Sequence, residues 1–96
     1  MRGVAFRPAA QADIQAAFRW YCGQRPELGA AFRAVTNAAI SEAVAFPLKS
    51  RRLYGDVRAV RVRRFPYFVC FVTEPGQLVV LAVLQFRRRP VVWQRR

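Results

Sequence analysis

The chain has 96 residues, the size of one small domain, and it carries a formal net charge of +12. It contains no histidine and only two cysteines, Cys22 and Cys70, at a spacing that fits no metal motif; we therefore expect no metal and no cofactor. The longest apolar run, Leu78–Leu84, is too short to span a bilayer and the N-terminus lacks the pattern of a signal peptide, so we expect a cytoplasmic protein with reduced cysteines and no membrane partner.

The N-terminal half predicts one strand followed by two helices. Gly3–Phe6 is a strand candidate, and from Pro8 the apolar residues recur at helical spacing as far as Gly23, which we assign as the C-cap. Pro26 restarts the helical spacing, which continues to Phe46. Because only about three residues separate the two helices, we expect them to form an antiparallel hairpin.

The first predicted helix carries two apolar stripes. One stripe contains Ile14, Ala17, Phe18 and Tyr21. The second stripe contains Ala12, Ala16 and Trp20. One helix cannot easily bury two stripes on a small sheet, so we expect the first to pack on the sheet and the second to form an exposed apolar groove for a partner.

The C-terminal half predicts strands. A polar connector at 47–56 is followed by a period of two, which puts Val60 and Val62 on one face and arginines on the other. Further strands are predicted at 67–73 and 78–86, the last one almost continuously apolar and therefore central. The predicted fold is α+β in the order β-α-α-β-β-β: one domain over residues 1–96, with a helical hairpin on one face of a small, mainly antiparallel sheet.

The positive charge is concentrated in the second half of the chain. Residues 1–46 contain five basic and three acidic side chains, whereas residues 47–96 contain twelve basic and two acidic ones. A field of this size attracts polyanions, although a solvated cationic face that keeps an apolar protein soluble is the alternative interpretation. Like charges on neighbouring strands repel one another, and an anionic partner would offset that cost.

Five blocks of the sequence occur together in one known family. They are DIxxAxxWY at Asp13–Tyr21, RPELGxxF at Arg25–Phe32, VR at Val57–Arg58, RFPYxV at Arg64–Val69 and VVLAVLxxRRxP at Val79–Pro90. In this order they resemble the RelE/ParE toxins of bacterial type II toxin–antitoxin modules. The resemblance implies a growth-inhibiting toxin that forms a hetero-oligomer with an acidic antitoxin protein.

The resemblance leaves two cellular targets open. ParE-like members poison DNA gyrase, and RelE-like members cut mRNA on the ribosome. Related toxins often carry His and Asp where this chain has Gln85 and Arg89, and both departures remove groups that could transfer protons. We therefore favour ParE-like action by binding rather than catalysis, with a RelE-like mRNA endonuclease as the alternative and a basic nucleic-acid-binding module without a toxin role as the second alternative.

Candidate site residues follow from the charge pattern and the matching blocks. The predicted target-binding set is Arg58, Arg61, Arg63, Arg87, Arg88, Arg89 and Trp93, although Trp93 also suits a core-capping role. The predicted antitoxin-binding set is Ala12, Ala16 and Trp20. The catalytic residues are unknown; a metal-independent nuclease would use Lys49, Arg58, Tyr67 and Arg88.

Overall fold

The computed structural model describes residues 3–86, which form a single five-stranded sheet with two helices on one face. The elements are β1 (Gly3–Phe6), α1 (Pro8–Gln24), α2 (Pro26–Ala45), a 3-10 turn (Pro47–Lys49), β2 (Arg51–Tyr54), β3 (Val57–Val62), β4 (Tyr67–Glu74) and β5 (Gln77–Gln85). The strand order is β1-β5-β4-β3-β2, with β1 parallel to β5 and every other pair antiparallel. The predicted α+β fold, with a helical hairpin and a central last strand, is confirmed.

The two helices are joined more tightly than the sequence suggested, because Arg25 alone separates them. Each helix begins at a proline, whose fixed φ suits the first helical turn. The prediction that Gly23 is a C-cap was wrong: α1 continues to Gln24, and the extended Arg25 (φ −158°) ends it with its N–H bonded to the Tyr21 carbonyl at 3.0 Å. Neither described helix is long and apolar enough to cross a membrane.

The helix hairpin packs closely where Gly29 on α2 meets Cys22 on α1. Gly29 is buried, and a Cβ at this position would overlap the Cys22 Sγ and press on its Cβ and backbone N, both 3.3 Å away. The missing side chain therefore sets how near the helices approach, at the usual cost of a glycine inside a helix.

Gly29→Ala is expected to destabilise the fold by about 1–2 kcal/mol, because overpacking outweighs the gain in helix propensity. Adding Cys22→Ala removes the sulfur and should recover most of this loss, which urea denaturation of the two single variants and the double variant would measure. Additive effects of the two substitutions would contradict the close-packing explanation.

The core lies between the hairpin and one face of the sheet. Its centre is an aromatic cluster in which the rings of Tyr21, Phe65 and Tyr67 lie 5.4, 5.3 and 5.3 Å from the ring of Phe32, which is fully buried. The positive φ of Arg64 (71°) turns the chain immediately before Phe65 and directs that ring inward. Ring pairs of this kind stabilise a core beyond the area that they bury.

The polar connector predicted at 47–56 contains a strand that the sequence analysis missed. β2 is short, and it pairs with β3 only from Tyr54↔Val57 to Arg51↔Ala59, with an irregularity in between. Its exposed arginines gave no alternating apolar pattern from which a strand could be recognised. Within residues 3–86, the last part of β3 consequently has no strand neighbour on its outer side.

Candidate functional site

An apolar groove runs between α1 and the end of β5. Its walls are Asp13, Ala16 and Trp20 on α1 and the segment 83–85 on β5, and its volume is about 390 Å³. The groove exists because β1 pairs with β5 only at residues 77–80, which leaves the later part of that strand edge facing the helix. We call it the α1 groove. Trp20 projects at its rim with 61% of its surface exposed.

The predicted antitoxin-binding residues lie at or beside this groove. Ala16 and Trp20 line it, and Ala12 is exposed on the same stripe of α1. The other stripe packs inward as predicted, with Ala17 buried and Ile14 against the core. α1 therefore presents a second, largely uncovered apolar face.

Asp13 holds α1 against the unpaired edge of β5. Its Oδ2 accepts a hydrogen bond from the Val83 N–H at 3.0 Å, across 70 residues of sequence. An otherwise unpaired strand N–H thereby gains a charged acceptor. No role for Asp13 follows from the local sequence, although its position three residues before Ala16 puts a carboxylate on the exposed apolar stripe.

Three polar groups line one wall of the groove. The Gln85 Nε2 donates a hydrogen bond to the Tyr67 hydroxyl at 3.0 Å, and the centre of the Tyr67 ring lies 6.2 Å from that of Tyr21. Burial raises the pKa of Tyr21, and its neighbour Tyr67 raises this pKa further. The groove thus combines an apolar surface with one polar wall, which contains the hydrogen bond between Gln85 and Tyr67.

The raised pKa of Tyr21 predicts how the stability of the protein changes at alkaline pH. Because the neutral phenol is favoured in the folded state, its contribution to stability is complete below the unfolded pKa of 10.0 and is lost as pH rises through the folded value. Tyr21→Phe is expected to lose less stability above pH ~10 than the parent protein. Urea denaturation across that range measures it, and parallel stability curves would contradict it.

A second cavity, of about 520 Å³, lies between the end of α2 and the outer side of β3. It is lined by Glu42, Phe46, Lys49, Ser50, Arg51, Leu53, Ala59, Val60, Arg61, Phe68 and Phe86. We call it the α2–β3 pocket. Three cationic side chains and three aromatic rings therefore line one concave site.

Phe46, predicted to belong to the apolar stripe of α2, is instead 56% exposed at this pocket because α2 ends at Ala45.

Two of the cations in the α2–β3 pocket rest on aromatic rings. Lys49 Nζ lies 5.1 Å from the centre of the Phe46 ring, and Arg61 Cζ lies 4.7 Å from the centre of the Phe86 ring. Phe86 in turn stacks on Phe68, with ring centres 6.0 Å apart. Such contacts restrict where a flexible cationic side chain points. The side chain therefore loses less conformational entropy when an anion binds.

Arg58 fixes the connector that carries Lys49 and Arg51. Its Nη1 donates hydrogen bonds to the backbone carbonyls of Ser50 (2.8 Å) and Leu48 (3.4 Å). Arg58 is partly buried, whereas Arg61 is exposed. Arg58 was predicted to contact a target, which stays a prediction; from its bonds to the connector backbone we propose that it also positions the connector beside the α2–β3 pocket.

The three candidate nuclease residues that the structure describes are not brought together. Lys49 lines the α2–β3 pocket, Arg58 is bonded to backbone carbonyls, and Tyr67 lines the α1 groove. Arg88 lies outside the described residues, as do Arg87, Arg89 and Trp93 of the predicted target-binding set. Within residues 3–86 there is no cluster of side chains that could hold a metal ion.

Arg63, the remaining described member of that set, lies beside the α2–β3 pocket. It lines a smaller cavity of about 300 Å³ together with Val35, Ala38 and Ala39 of α2. This cavity shares Glu42 and Arg61 with the α2–β3 pocket. The two cavities therefore adjoin along α2.

Comparison with known proteins identifies the family. The family model described as "ParE toxin of type II toxin-antitoxin system, parDE" matches residues 4–90. A solved structure titled "Chromosomal ParDE TA system from P. aeruginosa" superposes with a TM-score of 0.76 at 16% identity, over 88% of this chain and 96% of that chain, which shows a shared fold. No significant match is found among curated proteins. Because the family model spans nearly the whole chain, the protein belongs to the ParE toxin family of type II toxin–antitoxin systems.

Proposed function

We propose that this ParE-type toxin arrests growth by binding and poisoning DNA gyrase, without itself catalysing a reaction. The observation that carries the proposal is the match to the ParE family over residues 4–90. The separation of Lys49 and Tyr67 into different cavities also supports it, because a nuclease that used these two groups as base and acid would need both at one phosphate.

We propose that an acidic antitoxin neutralises the toxin in the cytoplasm. An amphipathic helix of this antitoxin packs into the α1 groove. Trp20 offers a large exposed ring at the groove rim, and Ala16 lets a helix approach closely. The net charge of +12 favours association with an acidic protein.

Induced expression of the toxin tests the proposed target. We expect DNA breaks linked to gyrase and an SOS response, with mRNA remaining intact while DNA synthesis stops. A gyrase supercoiling assay with purified toxin provides the direct measurement. Rapid mRNA cleavage with undisturbed gyrase would instead support the RelE-like endonuclease and overturn this proposal.

A further inference from the structure

The α2–β3 pocket has no role in the proposed packing of an antitoxin on α1, and its chemistry points to a different ligand. We propose that it binds a nucleotide unit of single-stranded nucleic acid, with the phosphate held by Lys49, Arg51 and Arg61 and an amino-bearing base directed to Glu42. The inference goes beyond gyrase poisoning and does not depend on it.

Within residues 3–86, the cations of the pocket form no ion pair with a carboxylate. The ion pair within the described residues joins Arg52 to Asp56, and no described carboxylate lies within 4.0 Å of the Lys49, Arg51 or Arg61 cation. Lys49 rests over the Phe46 ring and Arg61 over the Phe86 ring, so two of the three cations are held in place before a ligand arrives. A guanidinium that rests on a ring keeps its N–H donors available to a phosphate.

The size and walls of the pocket suit a nucleotide better than an isolated anion. Its volume of about 520 Å³ falls within the range of small-molecule sites, and its lining is more apolar than polar. The exposed Phe46 ring at the pocket provides a flat surface for a base or sugar. An inorganic phosphate would leave most of this space unfilled.

Glu42 distinguishes a nucleotide from an acidic peptide. Its carboxylate lines the same pocket as the three cations, so it opposes a ligand that carries only carboxylates. In a nucleotide the negative charge lies on the phosphate, at a distance from the base. An exocyclic amine of the base can therefore donate a hydrogen bond to a carboxylate while the phosphate contacts the cations. Cytosine offers such an amine, whereas thymine presents a carbonyl oxygen at the corresponding position.

The smaller cavity beside the α2–β3 pocket provides room for a second nucleotide of the single-stranded nucleic acid. It shares Arg61 and Glu42 with the α2–β3 pocket and adds Arg63, two residues further along the chain. Arg61 lies in β3 and Arg63 follows directly after the strand ends, and because both line this cavity they can contact one extended nucleic-acid backbone. A short oligonucleotide is therefore the appropriate probe.

The test measures binding of fluorescein-labelled hexamers of deoxycytidine and of thymidine to the full chain by fluorescence anisotropy between 50 and 200 mM salt. We expect deoxycytidine to bind at least about fivefold more tightly. Arg61→Gln should weaken binding about fivefold and reduce the salt slope by roughly 0.7. Arg19→Gln, which removes the same charge from an exposed position on α1, should have a smaller effect.

Glu42→Gln gives a second, independent readout, because it should reduce the preference for deoxycytidine while increasing affinity for both hexamers. Equal losses in Arg61→Gln and Arg19→Gln would mean that charge alone attracts the strand, and the proposal would fail. An unchanged base preference in Glu42→Gln, or polyglutamate competing as well as unlabelled oligonucleotide, would also overturn it. Since no gyrase is present, these results are independent of the outcome of the supercoiling assay.

Discussion

Trp20→Ala is expected to weaken the complex with the antitoxin by about 2–4 kcal/mol, or roughly 30- to 1000-fold in Kd. The Trp20 side chain is 61% exposed at the rim of the α1 groove, so the isolated toxin should lose little stability when it is removed. A buried tryptophan at an interface contributes more than most other residues, because it desolvates a large rigid surface. Titration calorimetry with the proposed antitoxin measures the affinity directly.

Phe46→Ala is the matched control for this measurement. It also removes an exposed aromatic ring, 56% exposed, but from the α2–β3 pocket rather than from the α1 groove. We expect this variant to bind the antitoxin helix nearly as well as the parent toxin does. In cells, co-expressed antitoxin should protect against Phe46→Ala if that variant remains toxic, and it should protect poorly against Trp20→Ala. Equal losses of affinity in the two variants would contradict docking in the α1 groove.

The elements that the sequence predicted well are those whose burial leaves a clear apolar pattern, either alternating or continuous. The alternation of Val60 and Val62 with arginines identified β3, and the register confirms that Val62 is buried while Arg61 is exposed. The near-continuous apolar run in β5 identified the central strand, which lies between β1 and β4. Alternation identifies β3 because one face of that strand packs on the helical hairpin, whereas the continuous run identifies β5 because residues on both of its faces are buried.

The errors in the fold have local physical causes. β2 was missed because its pairing depends on the backbone of β3, while its own side chains are mostly exposed and polar. Gly23 was assigned as a cap because glycine commonly ends helices, yet it lies inside α1 and the extended Arg25 ends the helix instead. In both cases tertiary context outweighed the local signal.

Only part of each candidate surface could be predicted from the sequence. Helical spacing alone brought Ala16 and Trp20 onto one stripe, and the structure leaves both exposed at a groove. The bond between Asp13 and Val83 spans 70 residues and depends on where β1 stops pairing, which no local pattern encodes. The separation of Tyr67 from Lys49 likewise depends on strand register, since Tyr67 pairs with the inward-facing Val62.

Register also separates the two candidate surfaces. The α1 groove is lined by Tyr67 and Gln85 and the α2–β3 pocket by their chain neighbours Phe68 and Phe86, and the two sites have no lining residue in common. A ligand in one site therefore does not need the side chains that line the other. Variants in the two sites can accordingly be combined, and additive effects on antitoxin and oligonucleotide binding are expected.

Arg58→Ala is expected to lower the free energy of unfolding by about 2–3 kcal/mol and to reduce toxicity at the same time. The guanidinium is partly buried and bonded to the carbonyls of Ser50 and Leu48, so its loss leaves these acceptors without a charged donor. The connector would then loosen, and Lys49 and Arg51 would no longer be held at the α2–β3 pocket. Urea denaturation measures the first effect and growth after induction measures the second.

Arg52→Ala is the matched control, because Arg52 lies directly opposite Arg58 in the pairing of β2 with β3. Its side chain is 67% exposed and forms a 4.0 Å ion pair with Asp56, an arrangement that contributes little to stability. Arg58→Lys keeps the charge but lacks the planar fork, and it should recover only part of the lost stability. If Arg58→Ala abolished toxicity with an unchanged unfolding midpoint, Arg58 would act by contacting the target, and its proposed positioning role would be wrong.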